Sequence, residues 1–241
     1  MKFKGYQVQD FNFEWNWLII LDACRYDFFV KVWNEDKQLQ QLIPKPEPRI
    51  SLGSCTLEFL RKLPHFYNTI CITGHPFVLL FRDKFTYVKD VGFNYDLDTV
   101  PPNYIIDYVL KNWLHVHFYK RRVLWFLQPH FPFIGETKLN IRIHKSKEDK
   151  GLTDMKYQEE MFRKAYEEGI LWKAYEDNLK LVLNELKRLL PKLKGVIVIT
   201  SDHAEGLGKP YLPNEQPVFA HPCEREELEL RLVPFIIIKK F

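Results

Sequence analysis

Cysteine is scarce: Cys24, Cys55, Cys71 and Cys223 are the four in 241 residues, far apart and without a Cys-x-x-Cys pair. That spacing argues against a zinc knuckle and offers no disulfide framework, so the expectation is free thiols in a reducing cytoplasm. No apolar run approaches the ~20 residues of a membrane helix. The run at 17–23 is broken by Asp22, and the first fifteen residues lack the apolar centre of an export signal. Neither export nor a membrane span is expected. Fixed-period repeats are absent, and the one low-complexity stretch, proline-rich 44–48, reads as an extended connector inside a domain. An excess of one charge is missing too. Lys plus Arg number 35 against 31 Asp plus Glu, a net charge of +4 that suits a small anionic substrate but not a specific nucleic-acid footprint. What remains, 46% hydrophobic and 27% charged residues, is the balance of a globular chain, and its length fits a single domain, 1–241.

Strand-length apolar runs recur at 17–21, 69–73, 123–127, 196–200 and 233–238, several rich in valine and isoleucine. Between them, 27–41, 57–63, 103–119 and 156–190 have helical character, the last as one helix or two. The alternation predicts an α/β fold: a three-layer α/β/α sandwich with a mostly parallel central sheet. Such sheets bind ligands at the carboxyl ends of their strands. The polar, lysine-rich stretch 135–154 interrupts the pattern and reads as a surface excursion or lid.

Polar residues at those strand ends are the candidates. Asp22 closes the run Leu-Ile-Ile-Leu, with Arg25 and Asp27 in the next turn. The arginine could pair with Asp27 or hold an oxyanion. Asp202 and His203 follow Val-Ile-Val-Ile-Thr-Ser, a carboxylate and an imidazole suited to zinc or manganese. Ser54, Cys55 and Thr56 arrive at the start of a helix-like segment, where a hydroxyl or thiol could cap the helix or act as a metal-activated nucleophile. His130 follows the 123–127 strand and His75 the 69–73 strand, while His221 precedes the last strand. A histidine there could orient substrate or donate a proton.

In this order the pieces resemble the alkaline phosphatase superfamily, most closely its sulfatase-like branch of archaeal and bacterial hydrolases. One signature is Ile19-Ile20-Leu21-Asp22-Ala23-Cys24-Arg25; the other is Thr200-Ser201-Asp202-His203-Ala204-Glu205-Gly206-Leu207-Gly208, followed by His221-Pro222 and Leu232-Val233-Pro234. The resemblance implies a divalent metal, zinc or manganese before magnesium or calcium, held by Asp22, Asp202 and His203. It puts His221 where two-metal members bind a second ion. It also implies a nucleophile at the start of the helix, Thr56 first, with Ser54 and Cys55 as alternatives. His130 resembles the family's substrate-side histidine, and Tyr175, Asp177 and Asn178 its long-helix pattern. Ala204 stands where the family has glycine, and no complete second set of aspartate and histidine ligands is visible, which favours one metal.

The expected function is therefore a metal-dependent hydrolase or transferase of phosphate esters, with Thr56, Arg25 and His130 as catalytic residues. A true sulfatase would carry its cysteine in Cys-x-Pro-Ser-Arg, whereas this chain reads Cys55-Thr56-Leu57-Glu58-Phe59. The competing class is a catalytically silent sulfatase-like binding module. A nucleic-acid binder using 138–150 ranks last, since acids such as Glu148 and Asp149 interleave its bases.

Overall fold

The computed structural model describes residues 5–139 and 155–240. Its strands are β1 (Gln7–Val8), β2 (Trp17–Leu21), β3 (Glu47–Ile50), β4 (Phe66–Thr73), β5 (Phe85–Asp90), β6 (Arg121–Phe126), β7 (Gly195–Thr200), β8 (Gly206–Leu207), β9 (Phe219–Ala220) and β10 (Leu232–Lys240). The helices are α1 (Tyr26–Glu35), α2 (Lys37–Leu42), α3 (Thr56–Lys62), α4 (Pro76–Leu80), α5 (Pro102–Lys111), α6 (Trp113–His117), α7 (Met155–Glu167), α8 (Leu171–Leu189) and α9 (Leu228–Arg231). Eight strands form one sheet in the order β1-β3-β10-β7-β2-β6-β4-β5, with β8 and β9 paired separately. Only β10 runs against its sheet neighbours.

The continuous apolar runs follow from burial on both faces. In β2, Trp17, Ile19 and Leu21 pack towards α1, α5, α7 and α8, while Leu18 and Ile20 pack towards Phe59 of α3, Val78 of α4 and the entering Phe11 and Trp15. Period-two alternation thus sends successive residues into two separate cores. The result is the three-layer α/β/α sandwich with a mostly parallel sheet that the sequence predicts.

Several boundaries differ. The helix expected over 27–41 breaks at Asp36, whose side chain caps α2 by accepting the Leu39 N–H. The segment 103–119 breaks at Asn112 between α5 and α6, while 156–190, expected as one helix or two, is two, parted at Gly169, where φ is +73°. The proline connector runs into β3, where Pro48 faces Pro234 of β10. β5 is half-buried and carries Lys89 and Asp90, which hid it among polar residues. Most of the lysine-rich excursion, from 140 to 154, lies outside the described residues, as does the bulk of the nucleic-acid reading placed on 138–150.

Cys55 and Cys223 form a disulfide across 168 residues, while Cys24 and Cys71 are buried and free. This corrects the expectation of unpaired cysteines: spacing along the chain does not show that the segment after β9 returns to the start of α3. Disulfides persist in oxidising compartments, so the bridge also removes the ground on which a reducing cytoplasm was expected. Peptide mapping without reduction should recover Cys55 joined to Cys223 and the other two cysteines as thiols. The Cys55→Ser, Cys223→Ser double variant should lose about 2–4 kcal/mol of unfolding free energy in urea; unchanged stability would refute a structural role.

Candidate active and metal site

Sheet register brings the candidates to one height. Ile20 of β2 pairs with Thr200 of β7, so Asp22 and Asp202 each lie two residues beyond a matched pair. Thr73 of β4 pairs with Trp125 of β6, and Leu21 with Phe126, which carries His75 to the same level. Ser201 ties the strand ends together: its Oγ accepts the Cys24 N–H at 2.8 Å and also lies against the Leu21 and His203 carbonyls. On the far side, the Tyr175 hydroxyl of α8 donates to the Ala23 carbonyl and accepts the Arg25 N–H, holding Ala23 at a φ of +57°. Asn178 of the same helix donates to the carbonyls of Pro129 and His130.

Asp22, Asp202 and His203 meet with their ligand atoms within 4.8 Å of one another. His203 Nε2 lies 3.2 Å from Asp22 Oδ1, 3.6 Å from Asp202 Oδ2 and 3.2 Å from Thr56 Oγ1. Each ligand is anchored through its other atom. Asp202 Oδ1 accepts the backbone N–H groups of Ala23 and His203, and His203 Nδ1 sits 2.8 Å from the Ala204 carbonyl. A carbonyl only accepts, so Nδ1 carries the proton and the Nε2 lone pair is free to coordinate. Asp22 Oδ1 and Asp202 Oδ2 are buried without any hydrogen-bond partner. Two orphaned carboxylate oxygens beside an imidazole nitrogen and a hydroxyl fit a zinc- or manganese-type dication, for which mixed oxygen and nitrogen donors are normal.

The electrostatics agree. Burial would raise the Asp22 carboxyl, but His130, His203 and His75 hold it well below the usual carboxylate range. Burial and the facing Asp22 push Asp202 up to about 6, against the pull of His203. Burial opposes charge on His203 as well, yet Asp202 and Asp22 outweigh it and lift the imidazole to about 10. A proton on Nε2 there sits where a dication would otherwise balance two carboxylates, so proton and metal compete for one place.

A second group lies alongside. His130, Glu205 and His221 also have ligand atoms within 4.8 Å, and the His203 and His221 ring centroids are 4.5 Å apart. His130 Nδ1 is held against the Phe131 carbonyl, and its Nε2 is 2.7 Å from His221 Nε2. The carbonyl fixes the His130 proton on Nδ1, so His221 Nε2–H donates to His130 and leaves His221 Nδ1 unprotonated. That atom and both Glu205 oxygens are buried without partners. Burial, with His203 beside them, keeps both histidines below the usual histidine range, and burial pushes the Glu205 carboxyl well above its own against the pull of His203. His221 thus lies with His130 and with Glu205, which was unweighed in the sequence although it stands in the Asp-His-Ala-Glu segment, as a second cluster of ligand-type atoms beside the Asp22, Asp202 and His203 group. Ala204 needs no glycine, since it is not among the residues with positive φ.

Both groups border a cleft of about 550 Å³, whose lining includes Asp22, Thr56, His75, His130 and His221 together with the apolar Leu57, Phe77, Phe93, Phe131 and Met155. The described lining holds neither lysine nor arginine. Three expectations change here. Arg25 is fully buried and spent on Asp27 and Glu229, both at 2.9 Å, and on the carbonyls of Glu205 and Lys209, so it braces the loops rather than meeting an oxyanion. Cys55 is in the disulfide and cannot attack. Ser54 Oγ binds Glu58, the Pro222 carbonyl and the Arg225 N–H, which leaves Thr56, the first residue of α3, as the hydroxyl facing the metal-type group.

Neither a protein-family model nor a curated protein sequence matches the chain. Solved structures do. The integral membrane lipooligosaccharide phosphoethanolamine transferase A from Neisseria meningitidis is 13% identical, with 98% of this chain and 49% of that chain covered and a TM-score of 0.60. The C-terminal periplasmic domain of EptC from Escherichia coli, solved in complex with zinc, is 13% identical over 93% of this chain and 72% of that one, with a TM-score of 0.56. A protein of the alkaline phosphatase superfamily from Vibrio parahaemolyticus is 11% identical over 99% and 62%, with a TM-score of 0.50. The chain thus shares its fold with these proteins, and it spans about half the length of the first of them.

Glu58 locks the start of α3: its carboxylate accepts the N–H groups of Ser54 and Glu224 and pairs with Lys62. Burial would raise it, but Lys62 and Ser54 hold it down to about 2. A depressed carboxyl stabilises the fold above its unfolded value, near 4.5, and loses that contribution as pH falls through about 2. Glu58→Gln should therefore cost about 1–2 kcal/mol at pH 7, discounted for the half-exposed Lys62, and the gap should close towards pH 2 in chemical unfolding. A gap that persists unchanged at pH 2 would refute this account.

Proposed function

We propose that the chain is a metal-dependent enzyme that cleaves or transfers phosphate esters, with Thr56 as nucleophile. The observation that carries this is Thr56 Oγ1 lying 3.2 Å from His203 Nε2, at the edge of a buried group in which two carboxylate oxygens have no partner. The fold's occurrence in a phosphoethanolamine transferase and in a zinc-bound periplasmic domain supports the same reading.

Asp22, Asp202 and His203 would hold the metal, with Thr56 beside it. Such an ion lowers the pKa of an adjacent hydroxyl, polarises a phosphoryl oxygen and screens the ester's charge from the nucleophile. The Thr56 hydroxyl would release its proton to solvent, its Oγ forming a bond to phosphorus as the ester P–O bond breaks, and the departing oxygen would take a proton. Burial keeps His130 and His221 neutral before substrate enters; an anionic ester against them favours the imidazolium, which then serves as acid. Water or a second alcohol next attacks the phosphothreonine and releases Thr56, giving hydrolysis or transfer according to the acceptor. The absence of lysine and arginine from the described cleft lining leaves the anion to histidines and bound cations. Leu57, Phe77, Phe93 and Phe131 offer the rest of the substrate an apolar wall. With Cys55 bridged to Cys223, the formylglycine chemistry of a sulfatase is not supported.

Purified protein should contain zinc or manganese and turn over nitrophenyl phosphate or bis-nitrophenyl phosphate faster than nitrophenyl sulfate. Thr56→Ala should lower turnover by more than about 10³-fold, Thr56→Ser should retain part of it, and a chelator should abolish it. A metal-free protein inert towards all three esters would overturn this reading and support the catalytically silent binding module instead.

A further inference from the structure

The anchoring of the metal-type group is uneven. Asp202 and His203 are each fixed by backbone, through the N–H groups of Ala23 and His203 and the Ala204 carbonyl. Asp22 has no such hold on its side chain. Its Oδ1 is the orphan facing His203, and its Oδ2 lies 2.9 Å from His75 Nε2. The protonation of His75 is fixed by its own surroundings. His75 Nδ1 caps α4 by facing the Phe77 backbone N–H at 3.1 Å. A backbone N–H can only donate, so Nδ1 must be unprotonated and the ring proton must reside on Nε2, aimed at Asp22.

The rest of the setting holds the ring in place. His75 is 5% exposed, and its own N–H donates to Thr73 Oγ1 at 3.0 Å, whose hydroxyl in turn donates to the Trp125 carbonyl. Gly74 permits the turn, because a Cβ there would come within 2.8 Å of the Gly92 carbonyl oxygen and 2.6 Å of Val100. His75 is in neither ligand group.

We infer that His75 is a positioning residue for the metal: its Nε2–H holds Asp22 Oδ2 so that Oδ1 is presented to the cation. This rests on the metal reading of the Asp22, Asp202 and His203 group. Outer partners that orient a coordinating carboxylate typically contribute 10–100-fold to metal affinity. One histidine here performs two separable tasks, capping α4 with Nδ1 and holding Asp22 with Nε2, and two substitutions separate them. Asparagine places an acceptor near Nδ1 and keeps the cap, but has nothing to reach Asp22. Glutamine extends an N–H donor towards Asp22 and sacrifices the cap.

The experiment is zinc affinity of the full chain by chelator competition, read beside thermal unfolding of the metal-free proteins. His75→Asn should bind zinc 10–100-fold more weakly with an unfolding midpoint close to wild type, and His75→Gln should recover most of the affinity. Wild-type affinity in His75→Asn, or equal weakness in both variants, would overturn the inference and leave the metal reading standing. Failure of the wild-type chain to bind zinc would overturn both. A measurement that needs no variant is the ¹⁵N-detected tautomer of His75 in the wild-type protein: a proton on Nε2 is expected, and one on Nδ1 would overturn the assignment.

Discussion

Two carboxylates, Asp22 and Asp202, are buried face to face at the ends of adjacent parallel strands, and the arrangement around them follows from that. Both are at most 2% exposed, and each presents an oxygen that no donor in the described structure satisfies. Burying such groups is costly unless a positive charge accompanies them. His203 supplies that charge as an imidazolium when a proton is the only cation available; a dication at the same place would do so with more charge. The nearby histidines, the Ser201 latch and the backbone donors of Ala23 and His203 are consistent with this demand for compensation. The β2–β7 register fixes it by bringing both acids to one height.

The same logic explains where the arginine is not. An arginine in the cleft would neutralise the carboxylates internally and leave no place for an ion. Arg25 instead lies beneath the cleft, its guanidinium divided between Asp27 and Glu229 and two backbone carbonyls. It thereby holds the segment after β2 against the segment after β8 without entering the cleft. The titratable groups among the described cleft residues are therefore carboxylates and imidazoles, and an imidazole's charge responds to what binds beside it.

Much of this was legible from sequence because the clustered acids and the imidazole stand at strand ends. Apolar runs that bury both faces are conspicuous, and Asp22, Asp202 and His203 follow such runs directly. What was hidden depends on returns of the chain that no local pattern records. His130 comes from the end of β6 and His221 from the segment after β9, and only the folded chain shows them sharing a site with Glu205. The Cys55–Cys223 bridge is hidden for the same reason. Arg25 misled because its sequence neighbourhood matches an oxyanion role, whereas its buried partner Glu229 is 204 residues away. β3 and β5 were missed because proline in one and polar residues in the other mask edge-region strands whose apolar side is short.

Thr56 stands apart from the metal-type ligands in how it is placed. Asp22, Asp202 and His203 inherit their positions from sheet register, a rigid frame. Thr56 is on α3, outside the sheet, and besides the packing of Phe59 and Leu60 onto the sheet its position is set by contacts that join one pair of segments: Ser54 to the Pro222 carbonyl, Glu58 to the Glu224 N–H, and Cys55 to Cys223. The second of those segments is the one that carries His221. Thr56 and His221 are therefore braced as a unit against each other, and the unit is docked onto the sheet through the Ser51 hydroxyl on the Asp202 carbonyl and the Arg231 guanidinium on the Ser51 carbonyl. The disulfide belongs to that bracing and not to the metal-type group itself. A perturbation of the bridge thus acts on the relation between hydroxyl and imidazole while the carboxylates keep the geometry that β2 and β7 impose, which separates the group that would bind the ion from the pair that would move the phosphoryl group.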